Sequence, residues 1–286
     1  MKTVPVSLII ASYNSEFFLE ECINSVNNSN KIPKQIIIVD DCSTDNSLKL
    51  AKSLKKNNNN IVILEMKKNS GAAEARKFAL NIVDQNFISY LDADDMLELD
   101  ALEFAYLNIT KHNADVCIFD LWRFNNKKKW RHSANPTSFP ISGEEAVNLT
   151  LGGWKIHICG IFKKNIFEKA YENFYLKTFN ADELIARLIY SNSNKIINCE
   201  KKYLYRVNEK STTNTLSLKH LDTVQSDLWL IKFSSNYSSE SYQRTIKWCI
   251  QNLYLLWKKR NKINKKITNI EIKKGLIEIS NISNIW

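Results

Sequence analysis

Three carboxylates stand within four residues at Asp92, Asp94 and Asp95, directly after an apolar run that ends at Leu91. Such groups repel one another at neutral pH, and a hard divalent cation offsets that repulsion. Mg²⁺ and Mn²⁺ commonly bind one or two carboxylates together with phosphate oxygens, so the cluster predicts a cation site for a phosphorylated ligand. The alternative is a solvated acidic turn before the next helix, which suits Asp95. The position after a strand favours the cation site.

The segments around this cluster alternate between short apolar runs and amphipathic stretches. Strands are predicted at 6–11, 35–39, 61–66, 87–91 and 116–119, with helices at 17–27, 47–56, 72–83 and 101–111. Strands separated by helices of this length indicate β-α-β units and a mainly parallel sheet, whose ligands lie outside the carboxyl ends of the strands. Polar or acidic side chains follow three of these strands, at 11–14, 40–43 and 92–95, which predicts one shared polar site.

A second acidic run, 39–45, follows the strand at 35–39. A carboxylate there can accept the N–H of a pyrimidine base or bind ribose hydroxyls. The run can also form a turn in which one of the residues 43–45 caps the next helix. Both interpretations can hold, because different residues perform each task.

Composition and length limit the possible classes of protein. The 286 residues are 44% hydrophobic and 11% aromatic, which is typical of a globular chain with one substantial core. No run of about eighteen apolar residues occurs, so we expect no membrane-spanning helix. Six scattered cysteines without a C-x-x-C pair favour buried free thiols in a reducing cytosol over a zinc site.

The positive charge is concentrated near the C-terminus. The whole chain carries +10, and residues 247–286 contain nine Lys or Arg and two Glu, a net charge of +7. The pattern after about residue 215 is helical, and the apolar and aromatic residues 253–257 precede the basic residues 258–266. This mixture suits anionic lipid headgroups. A solvated helix face is the plain alternative, and no nucleic-acid-binding motif accompanies the patch.

Four runs resemble, in order and spacing, the motifs of family 2 glycosyltransferases over roughly the first 125 residues: 6–14, 39–45, 69–76 and 90–95. The resemblance implies the GT-A fold of nucleotide-diphospho-sugar transferases, an α/β fold with a Rossmann-like, mostly parallel sheet, here with a C-terminal helical extension. The expected division is a GT-A domain at 1–215, with a donor-binding half at 1–125 and an acceptor half at 126–215, and a helical, basic region at 216–286.

The resemblance also implies a donor site. Asp41 is similar to the family's uracil-binding aspartate, and Tyr13 lies where an aromatic ring usually stacks on the base. Arg76 resembles a residue that contacts the nucleotide, and Asp92 would face the ribose. Asp94 would bind Mn²⁺ or Mg²⁺ and bridge to the diphosphate. The full implied donor-binding set is Ala11, Tyr13, Asp41, Arg76, Asp92, Ala93 and Asp94.

An inverting transfer needs a base that takes the proton of the acceptor hydroxyl. The family draws it from an acidic motif, commonly Glu-Asp, and the best match is Asp182 or Glu183, preceded here by Ala181. The resemblance leaves open which of the two is the base. Acids that stabilise a helix N-terminus are the alternative interpretation.

Four further residues are candidates for acceptor or loop contacts. Trp154 can stack on a sugar ring or equally belong to the core, and His157 beside it is an acceptor candidate or a satisfied polar residue. The family's Tyr-Arg-x-His run, which closes over the diphosphate, retains Arg206 but has Asn208 in place of the His. Lys210 is therefore the candidate replacement cation.

The resemblance implies a metal-dependent hexosyltransferase. Its donor would be a nucleotide-diphosphate sugar, expected to be a UDP-sugar, and its acceptor a glycan or lipid-linked saccharide in lipopolysaccharide or capsule synthesis. We expect the enzyme at the cytoplasmic face of the plasma membrane, in peripheral contact with anionic lipid, and without a nucleic-acid partner. The alternatives are a non-catalytic nucleotide- or carbohydrate-binding module and a sugar-nucleotide pyrophosphorylase. The pyrophosphorylase normally has a basic, glycine-rich N-terminal loop, which residues 12–14 do not provide.

Overall fold

The computed structural model describes residues 2–125, 127–132, 138–172, 174, 176, 178, 180–207 and 217–283. The predicted strands and helices of the N-terminal half are confirmed. Their bounds are β1 (Thr3–Ser12), α1 (Leu19–Asn27), β2 (Ile32–Asp40), α2 (Ser47–Lys56), β3 (Ile61–Glu65), α3 (Ala72–Ala79), β4 (Phe87–Asp92), β5 (Met96–Leu97), α4 (Ala101–Lys111) and β6 (Val116–Phe124). The helix predicted at 72–83 ends earlier, because a 3₁₀ turn, Leu80–Ile82, follows α3.

The second half adds strands that the sequence patterns did not predict. Its elements are β7 (Lys129–Arg131), α5 (Gly143–Thr150), β8 (Gly160–Lys163), α6 (Lys164–Glu172), α7 (Ala181–Ser191) and β9 (Ile196–Arg206). One sheet runs in the order β3-β2-β1-β4-β8-β6-β9-β5, with β7 on β6. The strands β3, β2, β1 and β4 pair in parallel, as β6 and β9 do, whereas β8 runs antiparallel between β4 and β6.

The strands β1, β2 and β4 bury side chains on both faces of the sheet, because helices cover both sides. Successive residues of a strand point to opposite faces, so Ile9 packs with α3, α6 and α7 while Leu8 and Ile10 pack with α1 and α4. Burial on both faces explains why β1, β2 and β4 read as continuous apolar runs. At their carboxyl ends the apolar side chains stop and the polar residues begin.

Three helices follow the sheet: α8 (Thr223–Ser234), α9 (Ser239–Ile263) and α10 (Lys265–Ser283). They share a core of their own, to which Ile231, Cys249 and Ile272 contribute. The first of them also packs against the helices that cover the sheet, because α8 lies against α7 and the Oγ of Ser226 is 2.5 Å from the Oδ1 of Asn180. The boundary predicted after residue 215 lies in the segment 208–216, which is outside the described residues.

Two expectations about the whole chain can be compared with the structure. Within the described residues, no helix is long and apolar enough to cross a membrane. All six cysteines are free, as predicted, and four of them are buried. Cys42 and Cys159 are only half-buried.

Candidate active site

Strand register brings the three predicted polar strand ends together. Ala11 near the end of β1 lies between Val39 of β2 and Asp92 of β4. The run that contains Asp41 is therefore separated from the aspartate cluster by a single strand, β1. Tyr13 follows on the β1 loop and is 44% exposed, which leaves its ring available to a ligand. The side chain of Ala93 is buried, so this residue can present only backbone atoms.

Arg76 links the aspartate cluster to the surroundings of Asp182. Its Nη2 donates to Oδ1 of Asp92 at 2.6 Å, and its guanidinium lies 4.2 Å from the centre of the Tyr90 ring. Burial lowers the pKa of Arg76, but the carboxylate of Asp92 and weaker contributions from Tyr171 and Asp182 outweigh it and hold the pKa above its ordinary value. One buried cation thus faces the first aspartate of the cluster and the candidate base.

Asp95 anchors the acidic turn to β9. Its Oδ2 accepts a hydrogen bond from the hydroxyl of Tyr203 at 2.7 Å, and its Oδ1 accepts one from the backbone N–H of Arg206 at 2.7 Å. The same Tyr203 hydroxyl accepts the N–H of Asp92 at 3.2 Å. The interpretation of Asp95 as a helix start is therefore wrong, because α4 begins only at Ala101 and the carboxylate instead holds the turn from behind.

Asp94 is the member of the cluster whose carboxylate remains available. In the described part of the chain, the hydrogen bond recorded for that carboxylate comes from its own backbone N–H. Burial, and then the charge of Asp92, raises the pKa of Asp94 to about 6. Asp92 and Asp95 are already paired with Arg76 and Tyr203. Among the described residues, no three acidic, His or Cys side chains converge as metal ligands. The arrangement fits a cation held by one carboxylate and completed by phosphate oxygens.

Arg206 supports the acidic turn from β9. Its Nε donates to the carbonyl oxygen of Asp94 at 2.7 Å, and its Nη2 pairs with Glu21 at 2.5 Å. The guanidinium also lies 4.5 Å from the centre of the Phe124 ring. These contacts place Arg206 at the base of the acidic turn, at the end of β9, and its expected role in a loop that closes over the diphosphate stays a prediction. Lys210, the candidate replacement cation, lies outside the described residues.

Asp41 holds the loop that leads into α3. Its Oδ2 accepts the N–H of Gly71 at 2.7 Å and the side-chain amide of Asn69 at 3.0 Å, and its Oδ1 accepts the N–H of Ser70 at 2.8 Å. Gly71 has φ +89°, a conformation that favours glycine. By fixing this loop, Asp41 also fixes the start of the helix that carries Arg76. Its Oδ1 accepts a single recorded bond, which leaves a lone pair, but the residue is only 2% exposed, so the role that the structure records for it is to hold this loop.

Lys219 is a basic residue whose charge acts on Asp41, and the sequence analysis did not single it out. It belongs to a 3₁₀ turn, Leu218–Asp222, just before α8, and its side chain is exposed. Burial raises the pKa of Asp41, while its backbone hydrogen bonds and the nearby charge of Lys219 oppose that rise. Nothing in the local pattern links residues 41 and 219, because their proximity arises from the path of the chain back to the first half.

Asp182 is the second residue of α7, a helix that contacts α3, and its carboxylate interacts with the charge of Arg76 on α3. The side chain is accessible to solvent, yet protein surrounds it on several sides, and this burial raises its pKa. The charge of Arg76 and the backbone N–H groups of Asp182 and Glu183 oppose the rise. The carboxylate therefore combines access to a ligand with a pKa above the ordinary value of an aspartate, a combination that suits a general base.

Glu183 lies among different partners. Its carboxylate is 3.8 Å from Nη1 of Arg187 and accepts a hydrogen bond from the side chain of Trp154. Arg187 is fully buried, its guanidinium lies 4.2 Å from the centre of the Trp154 ring, and it donates to the carbonyls of Glu183 and Thr150. These contacts fix a half-buried Trp154 beside the candidate base. They also occupy Glu183, which leaves Asp182 as the freer carboxylate.

His157 is part of the protein interior. Its Nδ1 accepts the N–H of Cys159 at 3.2 Å, and its carbonyl accepts the hydroxyl of Tyr190. Burial, followed by the charge of His132, lowers the pKa of His157 to about 4, so the ring is neutral at pH 7. A side chain that is 9% exposed offers no face on which a sugar can stack, which argues against His157 as an acceptor contact.

The C-terminal helices support α7 from the side opposite the sheet. Asp227 of α8 is buried, and its carboxylate accepts the side-chain amide of Asn252 at 3.2 and 3.3 Å. Burial is the main cause that raises the pKa of Asp227 to about 7, with Glu183 adding to the rise and Arg187 opposing it. The charged groups behind Trp154 therefore come from α7 and α8 together.

Residues 7–172 match the sequence model of the family described as Glycosyl transferase family 2, which is more than half of the chain. The chain belongs to glycosyl transferase family 2. Among curated relatives, this family 2 chain is 33% identical over 168 residues to the poly(ribitol-phosphate) beta-glucosyltransferase of Bacillus spizizenii, covering 56% of the chain and 26% of the relative. It is 24% identical over 228 residues to the glycosyltransferase GlyG of Streptococcus pneumoniae, covering 73% of each.

A solved structure of a relative supports the fold. The structure of Staphylococcus aureus TarS residues 1–349 in complex with UDP-GlcNAc superposes with a TM-score of 0.73 at 19% identity, over 99% of this chain and 81% of that one. The predicted GT-A fold with a helical C-terminal region is thereby confirmed. The chain spans only about a quarter of the length of the Bacillus spizizenii relative.

Proposed function

We propose that this family 2 chain is an inverting hexosyltransferase that moves a sugar from a nucleotide-diphosphate donor to a hydroxyl of a saccharide or glycolipid. The observation that carries the proposal is the geometry around Arg76. This buried cation joins Asp92 of the acidic turn to the surroundings of Asp182, while the carboxylate of Asp94 is left available beside them. A donor subsite and a candidate base therefore occupy adjoining parts of one cleft.

A UDP-sugar is the proposed donor. The TarS structure is a complex with UDP-GlcNAc, and this chain shares its fold, which supports the same class of donor. Tyr13 offers a partly exposed ring for the base, and the lone pair left on Oδ1 of Asp41 is the proposed acceptor for a base N–H. Lys219 supplies a cation at that end of the cleft for the negative charge of the nucleotide.

Mn²⁺ or Mg²⁺ is the proposed cofactor, held by Asp94 and by the diphosphate of the donor. The free carboxylate of Asp94 and the engagement of both neighbouring aspartates fit this arrangement. When bound, such an ion offsets the negative charge that develops on the departing nucleoside diphosphate. Arg206 and Tyr203 contribute by holding the turn in one conformation, so that little reorganisation accompanies the reaction.

Asp182 is the proposed base. It removes the proton of the attacking acceptor hydroxyl while the acceptor oxygen forms a bond to the anomeric carbon of the donor. The bond from that carbon to the diphosphate oxygen breaks, and attack from the face opposite the leaving group inverts the configuration. Trp154 supplies an aromatic face for the acceptor sugar, and Arg187 with Glu183 holds that ring in place.

The proposed setting is the synthesis of a cell-surface polysaccharide at the cytoplasmic face of the plasma membrane. The poly(ribitol-phosphate) beta-glucosyltransferase among the relatives supports a polymeric surface glycan as the class of acceptor. Membership of the family alone does not distinguish a polymer from a lipid-linked saccharide, so both belong in an acceptor screen.

A panel of nucleotide sugars tests the proposal. Each donor is incubated with the protein and Mn²⁺, and both equilibrium binding and release of nucleoside diphosphate are measured. We expect one UDP-sugar to bind and to release UDP. Binding without release for every donor and acceptor would instead identify a non-catalytic binding module, and formation of a nucleoside triphosphate from pyrophosphate would identify a pyrophosphorylase.

A further inference from the structure

The helices α9 and α10 form an antiparallel hairpin whose end projects from the shared core. Tyr242 near the start of α9 donates to the carbonyl of Ile282 near the end of α10, and Leu253 packs beside Gly275. A side chain at Gly275 would meet Val224 of α8 at 2.9 Å, so the three helices approach closely there. Residues 254–270, which include the turn at Asn264, therefore form the outer end of the hairpin, and we call them the hairpin tip.

The hairpin tip carries a dense positive charge. Six cationic side chains lie within nine residues: Lys258, Lys259, Arg260, Lys262, Lys265 and Lys266. All of them except the half-buried Arg260 are exposed. No Asp or Glu occurs from residue 241 to residue 270, so this charge has no acidic partner along its own helices. Such a cluster attracts a polyanionic surface within about 8 Å at physiological ionic strength.

Large apolar side chains share the hairpin tip with these cations. Tyr254 and Trp257 are 52% and 44% exposed, with their rings stacked at 5.9 Å, and Ile267 and Ile270 of α10 are 41% and 47% exposed. Lys258 lies 4.7 Å from the Tyr254 ring, and Arg260 lies 4.0 Å from the Trp257 ring. Aromatic rings flanked by long basic side chains are typical of the boundary between lipid headgroups and acyl chains.

We propose that the hairpin tip docks this protein on an anionic lipid membrane. The cations bind the headgroups, and the exposed rings and isoleucines enter the interfacial layer. The combination distinguishes lipid from the other candidates: a polynucleotide explains the charge but not the isoleucines, and a second copy of the chain would bring two such clusters of cations together. The surface lies on α9 and α10, apart from the residues proposed for catalysis, so docking and transfer are separable.

Vesicle binding tests the proposal. The full chain is mixed with phosphatidylcholine vesicles that contain or lack phosphatidylglycerol, and the fraction that co-sediments is measured. We expect binding that requires phosphatidylglycerol and falls as salt is raised. The triple variant Lys258→Gln/Lys259→Gln/Lys262→Gln should weaken it by at least about tenfold, since each surface cation contributes to attraction. Trp257→Ala should weaken it without changing the net charge.

A matched control separates the location of charge from its amount. The variant Lys55→Gln/Lys56→Gln/Lys111→Gln removes three exposed cations elsewhere and should bind vesicles like the wild type. All variants should keep the wild-type melting temperature and rate of donor turnover in the absence of vesicles. Equal losses in both triple variants, or no vesicle binding by the wild type, would overturn the proposal. Tip-dependent binding to a DNA duplex without vesicle binding, or a tip-dependent dimer in light scattering, would overturn it too.

Discussion

Replacing Asp182 with Asn removes the proposed base and little else. The carboxylate accepts only backbone N–H groups among its recorded hydrogen bonds, and an Asn oxygen can accept one of them. Arg76 keeps its 2.6 Å contact with Asp92, so the donor side of the cleft should persist. Loss of a general base costs about 10² to 10⁴ in rate, or about 3–5 kcal/mol of activation free energy. We therefore expect kcat for transfer to fall by that factor with little change in donor KM.

The pH dependence provides a second readout of the same variant. Burial raises the pKa of Asp182, and the base acts only when ionised. The wild-type kcat should therefore fall on acidification, with a midpoint above the ordinary range of an aspartate, near 3.9. At saturating Mn²⁺, which keeps the carboxylate of Asp94 ionised, the residual rate of Asp182→Asn should lack this acid limb. Initial rates of nucleoside diphosphate release, measured at saturating donor over a pH series, give both quantities.

Glu183→Gln is the matched control, since it makes the same chemical change one residue away. Its carboxylate is 3.8 Å from the fully buried Arg187, so its loss leaves a buried cation with less compensation and should cost on the order of a few kcal/mol of stability. The kcat of this variant should stay within about tenfold of wild type, which is below the loss expected for a base. If Glu183→Gln loses the acid limb and Asp182→Asn retains it, the assignment of the base is refuted.

Two other predictions concern the surroundings of Trp154. Trp154→Ala should raise the acceptor KM while leaving donor KM and donor hydrolysis near wild type, as measured by initial rates at varied acceptor; an unchanged acceptor KM would remove the ring from the acceptor site. Asp227 has a pKa of about 7 in the folded protein, above the value of about 3.9 expected when unfolded, so its contribution to stability falls as pH rises between those values. Asn does not ionise, so Asp227→Asn does not lose stability in this way. The free energy of unfolding of the variant in urea, minus that of the wild type, should rise from about pH 4 to about pH 7 by on the order of a few kcal/mol. A difference that does not change with pH would contradict the buried ionisable state.

The donor half was predictable because its signals are local. Apolar runs long enough for β1, β2 and β4 are each followed directly by polar residues, and a parallel sheet brings such strand ends together. The antiparallel strand β8 and the two-residue β5 were missed because their sequences contain little periodicity. The tertiary fold supplies their pairing partners: β8 pairs with β4 and β6, and β5 pairs with β9.

The partners of the acidic cluster were not predictable from spacing. Asp95 pairs with Tyr203 and Arg206, more than a hundred residues away, and a sequence pattern assigns no partner to a carboxylate at that separation. The sequence did contain a signal that favours Asp182 over Glu183 as the base. Glu183 and Arg187 are four residues apart on one helix, a spacing at which opposite charges meet, which already commits Glu183 to a partner.

The rate of UDP release from the best UDP-sugar tests the central claim most directly. It is measured for the wild type and for Asp94→Asn, each with Mn²⁺ and with a chelator. If Asp94 holds the cation that bridges to the donor diphosphate, the wild type should release UDP with Mn²⁺ and lose most of that rate with the chelator. The variant should be slow in both conditions, with its melting temperature unchanged. Equal rates for wild type and Asp94→Asn, or no UDP release by the wild type from any donor, would contradict the account.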